Sequence, residues 1–572
     1  MIQPKEEYKV IESYTIARYQ GDYTLKLDMN ENTLGCSPLV KEALKNISIN
    51  DISQYPAYGE IEEKIAQTIG VSTNKILITN GGDAGITAIY TTYVSRDEEV
   101  LYAVPSYTMY KIDAQRVNAK IITVPYREKW VYPTEDIIKN ITDKTKMIVI
   151  CSPANPTGDI VPEEDICKIL DAAPQAIVLL DEAYWRFINR ENKSLKHLID
   201  KYDNLIIMHT FSKDYGLAGM RVGYLISNPK NFEFIHKSMD PFSVNNVAIR
   251  AALAALEDQE FVTTYAEAIK ESKKFTYEKL KEIATEVYPS ESNFIFFNVG
   301  NKYEWLHSKL LKNRIKIRRY PNNPLLKGYL RLTLGTTEQM KNVLNLMKDY
   351  EGIIFDVDGV LVDENVSYRQ AIKETFEYFG KKSITLETIQ EYKNRGGFIN
   401  DWVLTKYLLD EINIKLSIEE ITDKFQEYYF NNGKGLISKE KLLLDPQIIK
   451  DLQSKYKLAV FTGRPREEAE FILRKEGILD CFEILVCSDD LPKEHSKPSP
   501  MGIERICEKF GTKNVLYVGD MPDDMVAAER GNIDSVGILP PQDKSDNLKQ
   551  LLLSKGAIEV YEDLLSALNN IV

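Results

Sequence analysis

Histidine is nearly absent from this chain. His197, His209, His236, His307 and His495 are the only five among 572 residues, and no two stand at metal-ligand spacing. Chemistry built on imidazole is therefore disfavoured, which leaves carboxylates, lysines and cofactors. Cysteine is scarce as well: Cys36, Cys151, Cys167, Cys481, Cys487 and Cys507 form no CxxC pair. They read as free thiols of a reducing compartment. No run of about 18 apolar residues occurs, so no transmembrane helix is expected. The opening MIQPKEEYKV has no apolar signal-type stretch, and a cytoplasmic location is expected. Positive charge is in deficit: 72 Lys and Arg against 85 Asp and Glu, a net charge of -13. An acidic surface does not attract nucleic acid or an anionic membrane. Small phosphorylated substrates stay open, because they need only a local basic pocket. No internal repeat and no low-complexity tract is visible.

What the chain does have is a succession of short β-branched runs with helical stretches between them. KILIT (75–79), MIVIC (147–151), AIVLLD (176–181), NLIIMH (204–209), GIIFDVD (352–358), KLAVFTG (457–463) and NVLYVGD (514–520) are examples. This alternation predicts an α/β protein with parallel sheets buried on both faces. Ligands of such sheets sit beyond the carboxyl ends of the strands. The length fits three or four domains at roughly 100–200 residues each. An amphipathic helix, TTEQMKNVLNLMKDY, closes the first pattern, and EGIIFDVDGV starts a second one with no Pro/Ser/Gly linker. The boundary falls at about 349–351. Residues from about 364 to 450 carry helical spacing and no strand-like run, which predicts a helical insert between the first two strands of the second half.

In the first half, HTFSKDYGLAGMRVGY (209–224) places a lysine after a buried strand, with glycines and an arginine following. A lysine that carries a phosphorylated carbonyl cofactor needs phosphate donors beside it, and Ser212 and Arg221 can supply them. Alone, Lys213 would read as a surface lysine. It is accompanied by SPANPTG (152–158) and DEAY (181–184), each after a strand. Asp181 could pair with a protonated pyridine nitrogen, and Asn155 and Tyr184 could bond the ring oxygen. TNGGDAGI (79–86) puts Gly82 and Asp83 at a strand-to-helix turn suited to a phosphate. Thr210 precedes Ser212, and Tyr107 could stack on the ring.

These pieces, with LDMNEN (27–32), QYPAYGE (54–60) and YLRLTLGT (329–336), make residues from about 8 to 348 resemble the fold-type I aminotransferases, most of all the histidinol-phosphate aminotransferase group. The resemblance implies pyridoxal 5'-phosphate, glutamate/2-oxoglutarate as amino donor pair, and a large mixed-sheet domain (about 51–244) with a small α+β domain (about 1–50 and 245–350). It implies a homodimer too, since Tyr55 matches a tyrosine that reaches the other subunit's cofactor phosphate. Arg331 matches the arginine gripping the substrate anion, Arg318 one associated with substrate phosphate, and Asn32 joins the substrate set. The turn GGDAG carries Ala84 where many relatives have an acid, and ARYQGDY matches the family's entry segment only loosely. The same scaffold hosts threonine-phosphate decarboxylation and aromatic transamination.

In the second half, FDVDGVLVD (355–363) projects Asp356 and Asp358 from a strand end. Asp356 can attack phosphorus, and Asp358 can protonate the leaving oxygen. Carboxylates this close need a cation, and Mg²⁺ suits an all-oxygen site. Thr462 in FTGRP, Lys497 in HSKPSP, and Asp520 and Asp524 in VGDMPDDMVAA follow in order. Thr462 can bond a phosphoryl oxygen, Lys497 can stabilise the transferring group, and both later aspartates can serve the metal. Residues from about 351 to 571 thus resemble the haloacid-dehalogenase-like phosphatases, with a doubly wound Rossmann-like core. The resemblance makes the insert a cap that reads the leaving group. Arg395, Phe398, Asn400 and Trp402 in NRGGFINDW are its candidate contacts.

Transamination of imidazole-acetol phosphate yields histidinol phosphate, and phosphatase action on that ester yields histidinol. Consecutive steps of histidine biosynthesis are therefore the leading expectation. Another phosphorylated amino compound, or a second half that only regulates, are the alternatives.

Overall fold

A computed structural model describes residues 2–3, 6–9, 11, 21–189, 193–364, 367–394 and 401–572. The chain divides into two compact units. One holds residues 1–303 and 313–347; the other holds 348–572 together with 304–312. The sequence expectation put the boundary at 349–351 and left the helix Tyr303–Lys312 in the first half. In the structure this helix packs within the second unit: Lys309 is buried there, 3.2 Å from Asp534 and over the Tyr350 ring.

The first unit is built on a seven-stranded sheet in the order Ile76–Thr79, Gly223–Ser227, Leu205–Thr210, Ile177–Asp181, Thr145–Cys151, Glu99–Val104, Lys120–Pro125. Gly223–Ser227 runs antiparallel to both neighbours and the remaining pairings are parallel. Leu179 and Leu180 face opposite sides of the sheet and are both fully buried, as an unalternating apolar run requires when helices cover both faces. Asp181 and Thr210 end adjacent parallel strands, with Asp181 in register with Met208. A smaller five-stranded sheet brings Leu25–Leu27 against Ile315–Arg319, which pairs in turn with Tyr329–Thr333.

The second unit carries a six-stranded parallel sheet. Gly352–Phe355 lies at its centre, between Lys457–Phe461 and Val515–Gly519. Asp356, Thr462 and Asp520 therefore leave three adjacent strands at the same edge, the position where ligands of open parallel sheets bind. Gly359 turns the chain back at φ +72°, and a Cβ there would lie 2.2 Å from Asp520 Oδ2. Helices Tyr368–Gly380, Leu386–Asn394, Asp401–Glu411 and Ile418–Tyr429 form the insert. A Ser417/Glu420 capping box starts the last of them. A short ribbon, Val362–Asp363 against Lys441–Leu442, ties the insert to the core. The core resumes with helix Pro446–Gln453, so the insert ends sooner than residue 450.

The loop after Lys213 approaches the segment after Asn32 closely. Gly216 has φ +69°, and its missing Cβ would stand 1.9 Å from the Gly35 carbonyl oxygen. Gly216→Ala should lower the stability of the first unit by about 1–3 kcal/mol, read as a fall in its melting temperature with the second unit's transition unmoved.

Candidate active sites

The first site gathers at the carboxyl edge of the seven-stranded sheet. Lys213 Nζ donates to the Met29 carbonyl at 2.9 Å and lies 6.0 Å from the Tyr184 ring centroid. Burial, and next the positive charge of Arg331, hold its pKa down to about 8. Tyr184 OH accepts from Asn30 Nδ2 at 2.9 Å. Asn155 Oδ1 accepts from Arg331 Nη1 at 2.6 Å, and Arg331 Nη2 donates to the Asp28 carbonyl at 2.6 Å. Arg331 Nε is buried without a hydrogen bond. Asn32 Nδ2 bonds the Asp214 carbonyl at 3.1 Å and so secures the residue after Lys213.

Asp181 is buried and takes two hydrogen bonds, from the Ala183 N–H at 3.0 Å and from Tyr110 OH at 2.5 Å. Burial pushes its pKa up to about 6 despite them. Among the described residues no cation stands in ion-pair contact with it. A cationic ring nitrogen would complete it.

The glycine turn opens helix Gly81–Tyr93, with Gly82 buried in the first turn. Arg221 Nη2 pairs with Asp83 Oδ2 at 3.0 Å, and Tyr107 OH donates to Asp83 Oδ1 at 3.0 Å. Thr210 Oγ1 bonds Ser212 Oγ at 2.9 Å. Bare backbone N–H groups, hydroxyls and a guanidinium thus converge where a phosphate would sit. A cavity of about 440 Å³, lined in part by Tyr23, Glu31, Asn32 and Ser212, opens beside them.

Two further expected residues make other contacts. Tyr55 is 80% exposed and stacks on Phe242 with centroids 4.4 Å apart, so it completes nothing within its own chain. Arg318 lies opposite Arg331 in strand register, and its guanidinium rests 5.8 Å from the Tyr320 ring centroid.

The second site surrounds Asp356. Lys497 Nζ lies 3.0 Å from Asp356 Oδ1 and 2.8 Å from Asp524 Oδ1. Asp356, Asp520 and Asp524, all buried, bring carboxylate oxygens within 4.8 Å of one another. Burial chiefly, with its acidic neighbours, lifts Asp356 to about 7. The pKa of Asp520 rises well above the usual carboxylate range for the same causes. Burial alone would lower Lys497, but Asp356 and Asp524 raise it. Asp520 Oδ1 is buried and unbonded. Three crowded carboxylates with an orphaned oxygen fit a hard divalent cation.

Asp358 is not part of that cluster. Arg464 Nε reaches both its oxygens, at 2.9 and 3.1 Å, and Nη2 bonds Oδ1 as well. Arg464 extends on to Glu440 at 2.8 Å and Tyr429 at 3.0 Å. Thr462 is buried, and its Oγ1 accepts the Arg464 N–H at 3.2 Å. On the insert side, Glu364 pairs with Arg369 at 2.6 Å, and Lys393 lies 3.1 Å from Asp401. Trp402, Glu364, Lys393 and Asp401 line a cavity together with Asp356 and Asp358. Arg395, Phe398 and Asn400 lie outside the described residues.

Residues 23–346, more than half of the chain, match the family described as aminotransferase class I and II. The chain belongs to the class I and II aminotransferases. Residues 353–538 match the haloacid dehalogenase-like hydrolases, so a domain of that second family follows the aminotransferase domain. The aminotransferase half is similar to the histidinol-phosphate aminotransferase of Methanosphaera stadtmanae, 32% identical over 354 residues, 60% of this chain and 94% of that protein. The Methanococcus maripaludis (strain C6) protein of the same name is 33% identical over 346 residues, 58% of this chain and 92% of its own. Among solved structures, the histidinol-phosphate aminotransferase of Clostridium acetobutylicum aligns with a TM-score of 0.53 and 26% identity, over 57% of this chain and 98% of that one.

Asn30, Tyr110 and Arg464 were missed from sequence. Asn30 sits within LDMNEN, and Arg464 within FTGRP, so both motifs were noticed without these members. Tyr110 carried no such signal, because only packing shows what its hydroxyl meets.

A lowered lysine pKa means more neutral amine at moderate pH. Reductive methylation of Lys213, followed by peptide mass spectrometry, should therefore rise with a midpoint near pH 8 rather than near 10.5. Arg331→Gln should move that midpoint upward, since the like charge that disfavours protonation is gone.

Proposed function

We propose that the chain performs two consecutive reactions: transamination of imidazole-acetol phosphate by glutamate to histidinol phosphate, then hydrolysis of that ester to histidinol. The observation that carries this reading is the pairing of two separate sites, one around Lys213 and one around Asp356, on a chain whose aminotransferase half has histidinol-phosphate aminotransferases among its relatives. The product of the first reaction is a phosphomonoester, the substrate class of the second. Six free cysteines suit a reducing cytoplasm. The exposed Tyr55–Phe242 stack suits a homodimer in which Tyr55 serves the other subunit.

Pyridoxal 5'-phosphate, when bound, supplies an electron sink that makes the substrate's Cα–H acidic. Lys213 is the residue to hold that cofactor and to move the proton at Cα, which its lowered pKa favours. Asp181 keeps a positive ring nitrogen in place, and Asn155 and Tyr184 bond the ring oxygen. Tyr107 covers a ring face. Gly82, Asp83, Thr210, Ser212 and Arg221 form the phosphate cradle. Arg331 takes the substrate anion, and Arg318 and Asn32 border the substrate.

In the second site, Mg²⁺, when bound, supplies positive charge against the phosphoryl oxygens. Asp356, Asp520 and Asp524 are its best-placed holders, with Asp358 able to join by a turn away from Arg464. Asp356 attacks phosphorus, Lys497 and Thr462 stabilise the transferring group, and Asp358 protonates the leaving alkoxide and then activates water. Trp402 and the insert face the leaving group.

The decisive assay supplies purified protein with imidazole-acetol phosphate, glutamate, pyridoxal phosphate and Mg²⁺. Histidinol and inorganic phosphate should accumulate; their absence while aryl phosphate is still hydrolysed overturns the substrate assignment. Lys213→Ala should reduce transamination by roughly a thousandfold or more and leave phosphatase turnover unchanged, and Asp356→Asn should do the reverse.

A pH prediction follows from the acid cluster. Carboxylates with raised folded-state pKa hold protons that the unfolded chain has already lost. Without a cation, the stability of the second unit should therefore fall as pH rises from about 4 through 7. Differential scanning calorimetry in chelator should show that fall as several degrees, and millimolar Mg²⁺ should remove it at pH 8 but change little at pH 5.

A further inference from the structure

We propose that Tyr110 is a positioning residue of the aminotransferase site. It would set the charge and orientation of Asp181 through one buried hydrogen bond, and thereby govern how tightly the chain grips a cationic ring nitrogen. The proposal rests on pyridoxal phosphate as the cofactor of the Lys213 site.

The geometry is specific. Tyr110 lies on helix Thr108–Arg116, three residues after Tyr107, and is fully buried. Its hydroxyl donates to Asp181 Oδ2 at 2.5 Å. The only other hydrogen bond to that carboxylate among the described residues is the Ala183 N–H on Oδ1. Each oxygen therefore has one donor, and the plane of the carboxylate is set by the pair. The Tyr110 ring is itself fixed by two edge-to-face contacts, to Tyr107 at 5.7 Å and to Tyr102 at 6.1 Å. A hydroxyl on so immobile a ring is a preorganised donor.

The chemistry gives the bond its role. Burial raises Asp181 toward neutrality, and the Tyr110 bond is the leading influence against it. Tyr110 cannot give up its proton in return, since burial and the nearby Asp181 charge both hold the phenol protonated. The nearby Cys151 thiol is held neutral by burial and by the same charge, and its Sγ–H points to the Pro153 carbonyl at 3.4 Å. Among the described residues no cation stands in ion-pair contact with Asp181, and Lys213 acts on it only at longer range. Its charge is left for a ligand nitrogen, and the Tyr110 bond, with the Ala183 N–H, favours that charge.

The test uses the full-length chain and two probes. These are pyridoxal 5'-phosphate and its 1-deaza analogue, in which carbon replaces the ring nitrogen. Tyr110→Phe keeps the ring packing and removes only the hydroxyl. It should weaken pyridoxal phosphate binding about tenfold, by equilibrium dialysis, and shift the pH midpoint of the cofactor's visible absorption band. Binding of the deaza analogue should change less than twofold, because that probe offers Asp181 nothing. Equal weakening for both probes means that Tyr110 only shapes the pocket, and overturns the proposal. So does unchanged binding of pyridoxal phosphate. Should Tyr110→Phe fold poorly, Asp181→Asn in the otherwise unchanged chain gives the same contrast: the two probes must then bind with nearly equal affinity, and a persisting preference for pyridoxal phosphate overturns the proposal. A parent chain that binds neither probe refutes the cofactor reading itself, a result distinct from either failure above.

Discussion

Carboxylates withdrawn from water at the carboxyl ends of parallel strands are the constraint on which both sites depend. Asp181 at one sheet edge, and Asp356, Asp520 and Asp524 at another, are buried without full compensation. A charge so placed disfavours its own ionisation unless donors or cations meet it. Much of what surrounds these residues is explained by that need. Tyr110 and the Ala183 N–H meet Asp181. Lys497 stands between Asp356 and Asp524, and Tyr517 OH donates to Asp524 at 2.9 Å. Among the described residues, Asp181 still has no ion-pair partner and Asp520 Oδ1 has no hydrogen bond.

The two halves answer the same constraint differently. The aminotransferase half buries one carboxylate, Asp181, and meets it with a fixed phenol and a backbone N–H. The phosphatase-like half crowds three carboxylates and pairs Lys497 with two of them, Asp356 and Asp524, which suits a doubly charged ion better than an organic cation. Arg464 adds a further level in the second half. It occupies both oxygens of Asp358 and continues to Glu440 beside the ribbon and Tyr429 on the insert. Asp358 is thereby bonded, through one side chain, to the insert.

Glycine allows these approaches at two points. Gly216 lets the loop after Lys213 touch the Gly35 carbonyl, and Gly359 lets the turn after Asp358 pass Asp520. Both have positive φ, so an L side chain would be strained there as well as crowded. In each case a backbone need of the site, not of the sheet, selects the residue.

Several features were legible without coordinates. Buried strands show as unbroken β-branched runs, because helices cover both faces of a parallel sheet and no alternation is required. The polar residues that follow those strands are the candidates, and order and spacing name Lys213, Asp181, Asp356, Lys497 and Asp520 among them. Other features depend on packing between distant segments. The Tyr110–Asp181 bond spans 71 residues, Arg464–Asp358 spans 106, and Asn30–Tyr184 spans 154. Only the tertiary structure groups residues 304–312, most of the helix Tyr303–Lys312, with the second unit. Local spacing determines which groups a strand end presents. Which donor then meets each group is decided by how separately folded elements pack, and no local periodicity encodes that.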